Sequence, residues 1–238
     1  MKSPYFILLL FYLIGCSSNP KDVDIEVKHA GALKNFMHKG DISAKASLDT
    51  LNPVDLYALG ALENLKGEFI VVDGEPYLSR EVNGELLIEK TYEARVSLLV
   101  YSYVSNWKDQ EIKESVSSYR ELEILVEEAA TKFGIDVETP FPFLIKGKIN
   151  SFGWHVINWP ENDTMHTHLR HIESGLNGVE ENRDITILGF YSRLHQSIFT
   201  HHTTHMHLHV LTKEKDLVGH VDEIIPGTDF KLLFPAAQ

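Results

Sequence analysis

A single cysteine, a shortage of basic charge and the want of a bilayer-length apolar run set the first limits on this 238-residue sequence. The lone cysteine, Cys16, excludes an internal disulfide framework and a thiolate metal site. With 22 basic against 34 acidic residues, the formal charge is −12. That balance argues against nucleic acid or an anionic lipid surface as a partner. The N-terminal apolar stretch, Tyr5 to Ile14, is about ten residues long, well short of the roughly 20 that a permanent membrane helix needs. Internal repeats and low-complexity tracts are also missing. Against these deficits, 43% of residues are hydrophobic, enough for the core of one large domain or two small ones.

Met1 to Gly15, with Lys2 ahead of the apolar stretch, reads as a signal peptide. It ends in Leu13-Ile14-Gly15-Cys16, the form of a bacterial lipobox, where small residues admit a peptidase and the thiol takes a diacylglycerol. On this reading residues 1–15 are removed on export, and residues 16–24 form a polar, turn-rich tether. The expected product is a cell-envelope lipoprotein anchored to the membrane through Cys16. An ordinary secretory signal with an incidental cysteine is the alternative.

Residues 29–50 carry weak helical periodicity, broken at Gly40-Asp41. From Glu68 the pattern becomes strand-like: Glu68–Asp73, Pro76–Arg80 and Glu85–Glu89 are separated by Asp73-Gly74 and Asn83-Gly84, strong signals for tight hairpin turns. Arg95 to Tyr101 supplies a further strand. Ser118 with Glu121 starts a helix whose apolar stripe (Leu122, Leu125, Val126, Ala129, Ala130, Phe133) ends at Gly134, which marks a packing element. Beyond Pro140, strand-like runs recur at Phe143–Ile149, Trp154–Ile157, Ile185–Tyr191, His205–Leu211 and Leu217–Ile224, and residues 158–182 read as loop-rich. The expected fold is α/β in content, of the α+β type, with mixed or antiparallel sheets and few helices. Residues 25–139 form an N-terminal sheet-and-helix part, and residues 140–238 a C-terminal β part with its site on a β-hairpin.

Eleven of the thirteen histidines lie at or beyond His155, and seven fall between His195 and His220. His207 and His209 are two apart, so a strand presents both on one face. The charged centre of Leu211-Thr-Lys-Glu-Lys-Asp-Leu217 reads as a hairpin loop that returns His220 alongside them. Facing depends on parity: an even, four-residue loop sets His220 opposite, whereas an unbulged odd one turns it away. Three neutral imidazoles with an open position suit a catalytic divalent metal, Zn²⁺ first, with Ni, Co, Mn or Fe(II) as other occupants. His166, His168 and His171 form a rival group. His201, His202 and His205 are pocket candidates, although adjacent strand residues cannot both face inward. His29 and His38 read as surface residues.

Ile187-Leu-Gly-Phe-Tyr191, His207-Leu-His209 and Gly219-His220-Val221 resemble, in order and spacing, the C-terminal core of the acetolactate decarboxylase family. Gly60-Ala-Leu-Glu-Asn-Leu-Lys-Gly-Glu68 followed by Phe69-Ile-Val-Val-Asp-Gly74 is similar to its early signature, and Phe143–Ile149 to a middle strand. The resemblance implies that His207, His209 and His220 are the metal ligands and that Glu68 is the active-site carboxylate. It also implies a dimer joined through N-terminal sheets. Three positions depart from the pattern: Ala61 replaces a threonine, His155 falls where the family has an arginine, and Val218 replaces a glycine. The family's C-terminal glutamate finds no counterpart in the residues after His220.

The implied reaction is decarboxylation of 2-acetolactate, or a related 2-hydroxy-3-oxo acid, to acetoin and CO₂. In it the metal acts as Lewis acid and Glu68 as proton donor. His155 replaces the arginine only in part, because imidazole lacks the guanidinium fork. Two other readings remain: a metal-dependent ester hydrolase on a related scaffold, and a metal-binding lipoprotein without catalysis.

Overall fold

The computed structural model describes residues 25–236; the expected signal peptide and the whole of the expected tether with Cys16 lie outside them. The chain opens with β1 (Lys28–Ala30), α1 (Leu33–Lys39) and β2 (Ala46–Ser47). It continues with β3 (Leu56–Ala61), β4 (Glu68–Val72), β5 (Glu75–Val82), β6 (Glu85–Glu89), β7 (Arg95–Val96) and β8 (Leu99–Tyr103). Six of these strands form an antiparallel sheet in the order β1-β8-β3-β4-β5-β6, while β2 and β7 pair separately. The two Xaa-Gly turns are where the sequence puts them. Asp73, Gly74, Asn83 and Gly84 have φ of 52°, 72°, 56° and 83°, the left-handed pair that matches strand twist in a tight hairpin.

The second half contains β9 (Trp107–Ile112), α2 (Tyr119–Lys132), β10 (Phe141–Val156) and α3 (His168–Glu173). It closes with β11 (Leu176–Tyr191), β12 (Met206–Thr212), β13 (Val218–Ile225) and β14 (Phe230–Pro235). Their order is β11-β12-β13-β10-β14-β9, and β11 also pairs with β10. The ladders β10–β11, β11–β12, β12–β13 and β13–β10 thus close a circuit, and the long strands β10 and β11 serve as its shared wall. Helix α2 packs Leu122, Val126, Ala129 and Ala130 into the same core as Phe141, Phe143, Ile187 and Leu208. Its Ser118 side chain accepts the Glu121 amide, as the capping signal requires.

Between the two sheets lies a second core of Phe36, Tyr57, Ile70, Leu144, Trp159, Phe190 and Phe199. Burying each such side chain contributes roughly 1.5–3 kcal/mol, so this layer fixes one sheet against the other. The antiparallel α+β expectation holds. The short helix expected in 29–50 is α1, capped by Gly40 at φ 60°.

Two local expectations need correction. Residues 158–182 are not loop throughout, because Leu176 onward is strand and 168–173 is helix. The polar stretch Asn177–Glu181 alternates exposed with half-buried residues and gains its ladder from β10, so tertiary pairing overrides its low strand propensity. Arg95–Tyr101 is also not continuous. It breaks at Ser97-Leu98, whose amides both reach the Ala61 carbonyl, and the two pieces join different sheets.

Candidate metal centre

The hairpin β12–β13 turns through four residues, Lys213 to Asp216, with the Thr212 amide donating to the Leu217 carbonyl. That even count sets His209 directly opposite His220, and strand period two puts His207 on the same face. The three ring centroids are 5.0 Å (His207–His209), 5.2 Å (His207–His220) and 5.5 Å (His209–His220) apart. His155 of β10 lies opposite His220 on the other side, with centroids 4.9 Å apart. His155, His220 and His209 therefore form a row across three adjacent strands.

Glu68 reaches this row from the other sheet. Its carboxylate lies 3.8 Å from His209 Nε2 and 4.0 Å from His155 Nε2. Gly67 sets this placement: its φ is 134°, and a Cβ there would lie 2.2 Å from the Ser79 carbonyl oxygen. Only glycine lets β4 start so close to β5.

Asp222 is the residue the sequence reading missed. Gly153 pairs with Glu223 but Trp154 with Val221, so Asp222 is the extra residue of a β-bulge. Its two oxygens accept from His155 Nδ1 at 2.8 Å and His220 Nδ1 at 3.2 Å. A signal existed, since Asp222 is two residues beyond His220 on a strand; the bulge that aims it at both rings had none.

Burial sets the protonation states. Glu68 is held well above the carboxylate range by burial and then by repulsion from Asp222, against the opposing backbone hydrogen bond from Ile157. Burial would raise Asp222 too, but the His155 and His220 hydrogen bonds outweigh it and keep the group ionised. Burial pushes His207 and His209 well down and lowers His155 against the opposing Asp222 carboxylate, which favours the neutral rings.

The donor set fits a cation. His207 Nε2 and His209 Nε2 are 3.2 Å apart. Without an ion, one of them must carry a proton toward the other, and that ring's buried Nδ1 is left bare. Neither Nδ1 has a well-aligned partner among the described residues, although the Phe199 and Phe69 backbones lie close enough to favour the protonated rings. Protons on both Nδ1 atoms would instead direct two lone pairs at one point, which a divalent ion can occupy. His155, His220 and Asp222 also offer ligand atoms within 4.8 Å of one another.

The histidines open onto a cavity of about 340 Å³. Leu33 and Phe36 of α1, Leu65, Leu98 and Ile157 supply apolar walls, and His168, His171 and His201 line the mouth. His166, the third member of the rival group, hydrogen-bonds His171 (Nδ1 to Nε2, 2.9 Å) and stacks on Trp159. His201 reaches the cavity and its neighbour His202 does not. His38 and His29 are both exposed, as expected of surface residues, and His29 also meets His195 edge to face.

The family model for Alpha-acetolactate decarboxylase matches residues 32–232. Crystal structures of acetolactate decarboxylase from Bacillus subtilis subspecies spizizenii and alpha-acetolactate decarboxylase from Bacillus subtilis strain 168 share the fold, with TM-scores of 0.70 and 0.69. They are 15% and 14% identical and are matched over 88% and 89% of this chain, and over 85% of each of theirs. A crystal structure described as a protein of unknown function similar to alpha-acetolactate decarboxylase from Staphylococcus aureus gives 0.66 at 16% identity, over 87% of this chain and 84% of that one. No curated protein matches the sequence.

Proposed function

The chain belongs to the alpha-acetolactate decarboxylase family, and on that footing we propose that it is a metal-dependent decarboxylase turning 2-acetolactate, or a related 2-hydroxy-3-oxo acid, into acetoin and CO₂. The observation that carries this reading is Glu68, a buried carboxyl group on the cavity wall, 3.8 Å from His209 Nε2 and 4.0 Å from His155 Nε2, whose burial raises its affinity for a proton. A decarboxylase needs an acid to protonate carbon, and a buried carboxyl group beside the metal ligands is placed to be one.

His207, His209 and His220 would hold a divalent ion, with Zn²⁺ the first choice for an all-imidazole set. When bound, the ion supplies Lewis acidity toward the substrate's hydroxyl and keto oxygens. Phe36, Leu65, Leu98 and Ile157 exclude water from the reacting carbon, which lowers the local dielectric and strengthens each polar contact. As the bond to the carboxylate breaks, its electron pair stays on the remaining carbon skeleton. Glu68 then delivers its proton to that carbon, CO₂ leaves, and the carboxylate takes a proton back from solvent. Asp222 keeps His155 and His220 turned toward the cavity through their Nδ1 hydrogen bonds.

The test is metal analysis of the purified protein coupled to an acetoin assay. Acetoin formed from acetolactate and abolished by chelation supports the reading. Ester turnover without acetoin points to the hydrolase, and metal uptake without turnover to a metal-binding role.

The envelope location is a second proposal, resting on the Leu13-Ile14-Gly15-Cys16 motif. No helix among the described residues is long and apolar enough to cross a membrane, so attachment would come from the lipid on Cys16. Labelled palmitate should enter the wild type but not a Cys16→Ser variant; equal labelling refutes it.

A further inference from the structure

We infer that His155 is a fourth nitrogen ligand of this centre, and that Asp222 is the shared carboxylate that orients His155 and His220 toward the ion. The inference rests on the reading that the site holds a metal.

Three observations carry it. His155 sits directly opposite His220, which sits directly opposite His209, so it completes a row across three strands beside His207, two residues from His209 on the same face. Asp222 pairs one oxygen with His155 Nδ1 at 2.8 Å and the other with His220 Nδ1 at 3.2 Å. Each ring thereby turns its Nε2 to the side away from Asp222. Finally, His155 Nε2 lies 4.0 Å from one Glu68 oxygen while His209 Nε2 lies 3.8 Å from the other, so the two ends of the row converge on one carboxyl group.

With Nδ1 engaged by Asp222, His155 turns its Nε2 toward Glu68 and the cavity, the geometry of a metal-ligating imidazole with a carboxylate behind it. Asp222 itself is engaged by two N–H donors, which suits a carboxylate held behind its histidines more than one bound directly to metal. The bulge that aims it at both rings belongs to the contact between β13 and β10, so orientation and ligation depend on one local irregularity.

The test is to load the full-length protein, solubilised in detergent, with Zn²⁺ and count imidazoles by X-ray absorption. Metal affinity is measured beside it by chelator competition. Four imidazoles are expected in the wild type and three in His155→Ala, with Kd weakened about 10- to 100-fold in both His155→Ala and Asp222→Asn. Three imidazoles in the wild type, or a Kd unmoved by His155→Ala, overturns the inference and leaves the metal reading standing. A wild type that takes up no ion overturns both. If His155→Ala does not fold, the wild-type count and the isosteric Asp222→Asn decide the matter.

Discussion

Replacing Glu68 with glutamine keeps the shape of the side chain and removes its acidic proton. The group is 5% exposed, and its neighbours are poor substitutes as acids. Asp222 is ionised and occupied by two histidines, and the Tyr119 hydroxyl is committed to the Met206 carbonyl at 3.2 Å. With Asp222 and Tyr119 so engaged, the expected loss is that of a general acid, about 10²- to 10⁴-fold in kcat, or roughly 3–5 kcal/mol of barrier. The same substitution should raise the stability of the metal-free protein. Because burial raises the folded-state affinity of Glu68 for its proton above the ordinary value of 4.5, the native state binds more protons than the unfolded state above that pH. Stability from this group is therefore fully present below about pH 4.5 and is lost as pH rises through the folded value. A glutamine side chain has no such loss, so metal-free Glu68→Gln should melt higher than wild type at pH 7 and the same at pH 4. The assay is acetoin production at saturating substrate with metal content measured in parallel, plus thermal melts of the stripped protein at the two pH values. A variant that keeps more than a tenth of wild-type kcat at full metal occupancy would refute the proton-donor role.

Further outcomes follow from the same geometry. His209→Ala removes a fully buried ring at the centre of the row, and should abolish stoichiometric metal binding; one retained ion per chain by elemental analysis would count against this ligand. Gly67→Ala forces a Cβ to 2.2 Å from the Ser79 carbonyl at a φ of 134°, and should cost about 1–3 kcal/mol by chemical denaturation with a fall in kcat, since Glu68 follows directly. His155, His171, His207 and His209 are all held below the ordinary value of 6.5 by burial, His171 to about 3. The unfolded state thus binds more protons than the native state below about pH 6.5, so the stripped protein should lose stability as pH falls from 7.5 to 5.5. Glu68 opposes this trend, so the slope should be steeper in Glu68→Gln, and a melting temperature flat across that range would argue against the buried neutral histidines.

The most legible part of the centre was the hairpin. The spacing of His207 and His209 selects one strand face, and the four-residue loop returns His220 to it by parity alone. The turns at Asp73-Gly74 and Asn83-Gly84 and the cap at Ser118 were readable for the same reason, because the partners are a few residues apart. Glu68 was marked only by family resemblance, since nothing in its own strand says that a second sheet will bring it within 4 Å of His209 and His155.

What the sequence determined by itself, then, is a set of short-range geometries: turn chemistry, capping, strand period and the three-histidine hairpin. The tertiary structure alone decided which charges are buried together. It turned the polar run Asn177–Arg183 into strand by pairing it with β10. It also placed a bulge at Asp222 so that one carboxylate holds two rings, and sealed Glu68 away from water until its proton is retained. The physical reason is that side-chain period and turn preference act over a few residues, whereas register between distant strands and the desolvation of a carboxyl group depend on what the rest of the chain packs against them.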